Sequence, residues 1–431
     1  MTSVIDSPRH LARRAAAVAT LLTLSATGLI VGGPAEATSF TLPLGSPGLV
    51  ETRTSQVLAT GVILTRIVRG ALPTTVDQIG TTSQGPWRVN VVSIDPALAR
   101  GHLRATYGPD LARAEKVTDL VRTSNAVAGT NASYFAFTAS AQYPGEPRGL
   151  GLYEGALLSE PAAVSTEVDF VVDAKTSEVS IGRLTWTGQI RNRSTGKTLR
   201  LKYLNHPPVV PSGCTKAADQ TKCTKSGDTV HFTPEFGRST PRGYGVEVVL
   251  DSRGCRVRSR STRGVALAAN QTSIQATGRE TRTLIKLTEA GCLSREVKLY
   301  DEGGKQLELS SGLFGVAGRY QLTRAGKIVV PSGSSSFFAR NPRTLAGRTA
   351  DGTIVLATID GRQTTSVGAT LAETARVAHA LGMVDAVNLD GGGSTTLSVR
   401  GALANQPSGS SGERAVGDAL VYIDSPLPGG P

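Results

Sequence analysis

The chain reads as a sheet-rich α+β protein, and three observations predict this. Short Val, Ile, Leu and Thr runs recur along it, broken by Gly, Pro and Asn, the punctuation of strands and turns. Its 431 residues hold 49 glycines against 5 % aromatic side chains, which disfavours a helical architecture. Helical periodicity with explicit start and stop signals appears in one place, near the C-terminal end. At this length the chain suits one large domain with an insertion, or two to three modules.

The first element is an export signal. Arg9, Arg13 and Arg14 precede an apolar run from Ala15 to Val31, and Ala35-Glu36-Ala37 offers the small residues that a signal peptidase reads. Residues 1–37 are therefore expected to be removed; an uncleaved anchor and a twin-arginine signal are the alternatives. No other apolar stretch is long enough to span a bilayer, so a secreted or wall-associated, extracellular chain is expected. Residues 38–60 read as a polar tether. Strand patterns follow at Gly61–Val68, Arg88–Ile94 and His102–Thr106, then a helical stretch around Lys116–Thr123. Residues 126–137 read as a strand running into a loop, in which Asn131 is either a turn residue or a substrate-positioning side chain.

From 166 to 322 the pattern is all short strands and turns. This segment, an inserted or elaborated β region, holds all four cysteines. In an oxidising compartment four cysteines imply two disulfides with three connectivities, of which Cys214 with Cys223 and Cys255 with Cys292 is favoured. A zinc site lacks the paired short spacings and the histidine pair it would need. The run Arg256, Arg258, Arg260, Arg263 reads as a solvated loop. Regularity returns with the strand Thr353–Ile359, ending at Asp360. Thr370-Leu371-Ala372-Glu373 is a capping-box pattern, Leu371, Thr374, Ala375, Ala378 and Leu381 form one face, and Gly382 ends the helix. His379 on that helix reads as structural or exposed. A final strand covers Asp418–Ile423, and 425–431 is a Pro/Gly tail.

The formal charge is +12, or +11 without residues 1–37, so the natural partners are polyanions such as phosphate-containing wall polymers. Nucleic acid lacks support: aromatic residues are sparse and no helix-turn-helix, zinc-finger or RNA-recognition pattern occurs.

The chemistry concentrates at Asn388-Leu389-Asp390-Gly391-Gly392-Gly393-Ser394-Thr395-Thr396. Side-chain period two aims Asn388 and Asp390 to one face of a strand, with Val387 and Leu389 on the other. Three glycines allow a sharp bend whose N–H groups can bind an anion, and Ser394 and Thr395 add hydroxyls. A loose hairpin turn is the plain alternative.

Together with Gly129-Thr130-Asn131 and Tyr134-Phe135, Asn341-Pro342-Arg343-Thr344, Asp360-Gly361-Arg362 and Gly412-Glu413-Arg414, this run resembles the phosphodiester glycosidase family, motif by motif and in order, over roughly 61–424. The resemblance implies a domain made of 61–165 and 323–424, interrupted by the disulfide-stapled segment. It departs from the family pattern at Ala132 and Ser133, where glycines are usual. It implies hydrolysis of the bond between a sugar's anomeric carbon and a phosphate oxygen, releasing free sugar and a phosphomonoester. On that reading Asp390, then Asp360 and Glu413, are the carboxylates in play; Arg343, Arg348, Arg362 and Arg414 with Gly391, Gly392, Gly393, Ser394 and Thr395 are phosphate contacts; Asn131 and Asn388 hold sugar hydroxyls. No metal is required, though carboxylates among carbonyls could hold a structural calcium ion. The competing function is a non-catalytic binding protein for anionic cell-wall or extracellular polysaccharide. A metal-dependent phosphodiesterase is disfavoured by five unclustered histidines.

Overall fold

The computed structural model describes residues 40–137, 139–216 and 222–427. The expected export signal and the end of the expected tail lie outside them. Strands dominate, with three short α-helices among the described residues.

The central sheet has eight antiparallel strands in the order Glu51–Ala59, Val62–Arg69, Trp87–Ile94, Ile354–Ile359, Arg343–Thr349, Met383–Asn388, Gln321–Arg324, Lys327–Ile328. Apolar residues alternate between two cores, as a period of two requires. Val62, Leu64, Val92, Ile94, Leu356 and Val387 enter one; Ile67, Val89, Leu345, Val355, Ala357 and Ile359 enter the other.

The helix Leu371–Ala380 covers the second core with Leu371, Ala375 and Ala378, all fully buried. The capping box is real: Thr370 Oγ1 accepts from the Glu373 N–H at 3.0 Å and the Glu373 carboxylate accepts from the Thr370 N–H at 2.8 Å. Gly382, at φ 79°, ends the helix, and His379 is exposed. The expected tether is instead seated, since the alternating Leu42 and Leu44 are buried in this same core and Glu51–Ala59 forms the sheet edge.

Two five-stranded sheets close the first core. One runs Ala402–Leu403, Leu397–Val399, Ala128–Asn131, Asp418–Ile423, His102–Tyr107; the other runs Glu178–Gly182, Glu167–Asp173, Leu313–Arg319, Gly151–Tyr153, Ala156–Ser159. The second sheet takes strands from both sides of residue 166, so the β elaboration proper begins near Thr185 and ends near Leu307. It consists of a four-stranded sheet, a five-stranded sheet and the helix Glu280–Leu287. Its core is continuous with Leu150, Leu152 and Val171 of the main body.

Both disulfides lie in this elaboration, Cys214 with Cys223 and Cys255 with Cys292. Arg256–Arg263 is an edge strand rather than a loop, paired with Gly243–Leu250. Its arginines are exposed up to Arg260, and charge on an edge blunts edge-to-edge association. Arg263 differs: it is buried and donates to Gln275 Oε1 at 2.8 Å.

Candidate active site

The strands Ile354–Ile359 and Met383–Asn388 run in the same direction on either side of Arg343–Thr349, which runs against both. Their C-terminal ends therefore meet Arg343 at one end of the sheet. Leu389 still holds the ladder, its N–H on the Thr344 carbonyl at 2.9 Å and its side chain buried. Asp390 then departs, donating its N–H to Ala132 O at 3.0 Å, and Gly392 N–H reaches Pro342 O at 2.9 Å. The glycines are needed where the turn touches its walls. A Cβ on Gly391 would stand 2.8 Å from Pro342 O, and one on Gly393 2.3 Å from Arg414 Nη2. Gly392 adopts φ 62°, a left-handed conformation that side chains disfavour.

Above this turn is a cavity of about 250 Å³ walled by Tyr134, Phe337, Asn341, Arg343, Arg362 and Asp390. Arg343 is buried, and its Nε and Nη2 donate to the carbonyls of Ala369 (3.0 Å), Phe337 (2.6 Å) and Ala339 (2.8 Å). Burial pushes its guanidinium down to about 10, which leaves it charged at neutral pH. Arg362 donates to Asn341 Oδ1 at 2.8 Å and would meet a Cβ on Gly392 at 3.1 Å, so it closes over the glycine turn. Arg414 comes from the loop before the last strand, stacked on Phe137 at 4.3 Å and pressed against Gly393. The guanidinium groups of Arg362 and Arg414 thus lie against the Gly391–Gly393 turn, and Arg343 stands in the cavity wall beside it. None of the three is in an ion pair with a carboxylate among the described residues.

Asp390 is the one carboxylate among the described residues lining this cavity. Burial raises its carboxyl to about 6, opposed by the Ser394 hydroxyl, by the Gly391 N–H at 2.9 Å and by Arg414, while Asp418 adds to the rise. Tyr134 is held in its neutral phenol form, chiefly by burial and next by Asp390. Its hydroxyl donates to Leu389 O at 3.1 Å and accepts from Asn388 Nδ2 at 2.9 Å.

Several sequence-expected residues take other places. Asn131 is fully buried beneath the turn: Nδ2 donates to Asp390 O (2.6 Å), and Oδ1 accepts from Thr344 Oγ1 (2.8 Å) and Thr396 N (3.1 Å). It positions the Asp390 backbone and cannot reach a sugar. Asn388 is buried too and works through Tyr134. Ser394 and Thr395 lie under the turn, both 1 % exposed.

Asp360 sits at the same end of the sheet but faces a different cavity, and its two oxygens accept from Asn405 Nδ2 (2.8 Å) and Gln406 N (3.1 Å). Burial also raises it to about 6. Glu413 serves the helix Val117–Thr123, accepting from Thr118 N (2.9 Å) and Thr118 Oγ1 (2.7 Å). Arg348 lies five residues along its strand from Arg343, roughly 16 Å away, and pairs with Asp385 at 2.7 Å. Asp360, Glu413 and Arg348 are therefore not brought to Asp390. Tyr134, Phe337 and Asn341 are wall residues that sequence reasoning left out of the site, although Tyr134 and Asn341 stand inside the motifs it used. Among the described residues no group of three or more His, Cys, Asp or Glu could hold a metal ion.

Residues 244–423 match the phosphodiester glycosidase family, which bears out the resemblance read from the motifs. An 82-residue stretch is 40 % identical to the SPbeta prophage-derived uncharacterized protein YomE of Bacillus subtilis (strain 168), covering 19 % of this chain and 13 % of that relative's length. Among solved structures, an exported-protein candidate from Burkholderia pseudomallei K96243 is similar at TM-score 0.73 and 25 % identity, covering 89 % of this chain and 98 % of that one. A hypothetical protein from Synechocystis shares the fold at TM-score 0.64 and 19 % identity, over 87 % of this chain and 68 % of that one.

Proposed function

We propose that this chain is an exported phosphodiester glycosidase that hydrolyses the C1–O bond of a sugar-1-phosphodiester, with Asp390 as the carboxylate facing the anomeric carbon. The family match supports a glycosidase-type hydrolase. The observation that carries the finer reading is one carboxylate and two arginines at a single glycine turn, with a third arginine in the wall of the same cavity.

Most glycosidases need two carboxyl groups, one of them to protonate the leaving oxygen. A phosphomonoester leaves as a stable anion, with a second pKa of about 6, so the acid becomes dispensable. What remains is recognition of the phosphate and stabilisation of positive charge at C1. Arg362 and Arg414 lie against the turn and can grip phosphate oxygens; the N–H groups of Gly391 and Gly392, expected from the sequence to bind the anion, are instead taken by Asp390 Oδ1 and Pro342 O. Arg343, anchored on three carbonyls, fixes the floor and adds positive potential. Asp390, ionised above about 6, supplies the negative charge next to C1. Tyr134 and Asn388 keep the turn and the Leu389 carbonyl in register.

Export is supported by the leader pattern, by the two disulfides and by the name of the Burkholderia protein. No helix among the described residues is long and apolar enough to cross a membrane. The basic charge suits an anionic wall polymer or glycoconjugate as the substrate. Incubation with a panel of sugar-1-phosphodiesters, with and without chelator, tests the reading. Free sugar plus phosphomonoester, insensitive to chelator, is expected. Retained polymer binding with no turnover across the panel would favour a binding protein.

A further inference from the structure

The Asp390 cavity, about 250 Å³, is smaller than the ~300–1,000 Å³ of pockets that enclose a whole small-molecule ligand. A larger cavity of about 610 Å³ shares its Tyr134 wall. Two parts of the molecule build it. The main body gives Tyr134, Glu160 and Arg319, and the disulfide-bearing elaboration gives Trp186, Tyr203 and His206.

The chain has two tryptophans with opposite surroundings. Trp87 is fully buried and donates its indole N–H to Gly368 O at 2.8 Å. Trp186 is half-buried, and among the described residues its indole N–H meets no acceptor. Gly188, two residues on and so on the same face of the strand, is what lets the ring lie down. A Cβ there would stand 2.3 Å from the indole. A flat aromatic face with an open N–H at its edge suits a ligand that is apolar on one side and hydroxylated at its rim.

The charges around this platform are largely spent within the protein. Lys202 is held by Asp228 at 2.5 Å, His206 is paired with Glu146, and Glu160 accepts from Leu204 N at 2.8 Å. Arg319 stacks on Tyr134 (5.4 Å) and on Phe337 (5.8 Å). Phe337 walls the Asp390 cavity, so Arg319 spans the junction between the two. Arg148 reaches Glu146 at 3.9 Å, and Arg319, in no ion pair among the described residues, lies over two rings at the junction. Glu160 and Glu167 also line the cavity, and carboxylates in the walls disfavour both a second anion and an acyl chain.

We infer that the 610 Å³ cavity is the subsite for the part of the substrate beyond the phosphate, a neutral oligosaccharide stacked on Trp186. The disulfide-bearing elaboration is then a substrate-selecting part of the enzyme. The link to catalysis rests on the glycosidase reading of the Asp390 cavity, whereas the ligand class follows from the walls of this one.

Intrinsic fluorescence of the full chain, titrated with neutral tetrasaccharides of the malto, manno and chito series, tests the ligand class. A saturable change with at least one of them, lost in Trp186→Leu while the buried Trp87 emission is retained, is expected. No saturable change with any of them overturns the inference. The kinetic arm compares a sugar-1-phosphodiester carrying a tetrasaccharide aglycone with its methyl counterpart. Trp186→Leu should raise KM about tenfold for the first with kcat nearly unchanged, and leave the methyl diester within about twofold. Equal effects on both substrates would overturn it. If neither diester is hydrolysed by the wild type, the function reading fails and the fluorescence arm alone decides the subsite.

Discussion

Asp390 and Asp360 stand at the same end of one sheet, and burial raises both to about 6, yet they do different work. Both oxygens of Asp360 are taken by Asn405 and Gln406, so its charge ties a loop to the strand end. The near neighbours of Asp390 are its own glycine turn and an arginine, and its open side faces a cavity. A perturbed carboxyl is thus a weak sign of catalysis by itself, because structural networks also perturb carboxyls. The side that is not consumed by the protein distinguishes the two.

Substitution breaks the comparison most sharply. Asp390→Asn should lower turnover of a sugar-1-phosphodiester on the order of 10³-fold with the fold intact. Asp360→Asn should keep turnover within about tenfold. Comparable losses in steady-state assays would erase the distinction.

The pH profile separates the same pair. Activity needs ionised Asp390, so kcat/KM should fall about tenfold per pH unit below about 6. That acid limb should survive in Asp360→Asn. Folding raises both carboxyls, so their contributions to stability are full below the ordinary carboxylate range and are lost as pH rises through about 6. Urea midpoints of Asp360→Asn across that window should therefore vary less with pH than those of the wild type.

Arginines give a smaller contrast. Arg414→Ala removes a guanidinium beside the glycine turn and should raise KM about tenfold or more. Arg348→Ala should leave kinetics unchanged and cost about 1 kcal/mol, because its pair with Asp385 is only half-buried. Glu413→Gln gives the smallest effect, about 1 kcal/mol from the weakened cap on the helix Val117–Thr123, with turnover near wild type. A large loss of turnover would return Glu413 to the catalytic set.

Local rules made much of the fold readable. The capping box at Thr370, the glycine stop at Gly382, the alternating strands and the two disulfide pairs all depend on neighbours in sequence or on few alternatives. The burial of Leu42 and Leu44 was harder to see in a polar, irregular stretch, because it depends on the sheet they meet.

At the site, sequence disclosed the Asp390–glycine turn and the arginines at strand and loop ends. Sequence could not show which neighbour uses up each side chain. Asn131 lies beneath the turn because Thr344 and Thr396, more than 200 residues away, claim its oxygen. Glu413 is claimed by Thr118 on a distant helix. Tyr134 and Asn341 were within the motifs, and a hydroxyl or amide next to a motif asparagine or arginine was the signal available for them.

Hydrolysis in ¹⁸O-labelled water tests the central claim most directly. Attack at the anomeric carbon places the label in the released sugar and leaves the phosphomonoester unlabelled, the result expected here. Label in the phosphate would mean P–O cleavage and would contradict the role assigned to Asp390.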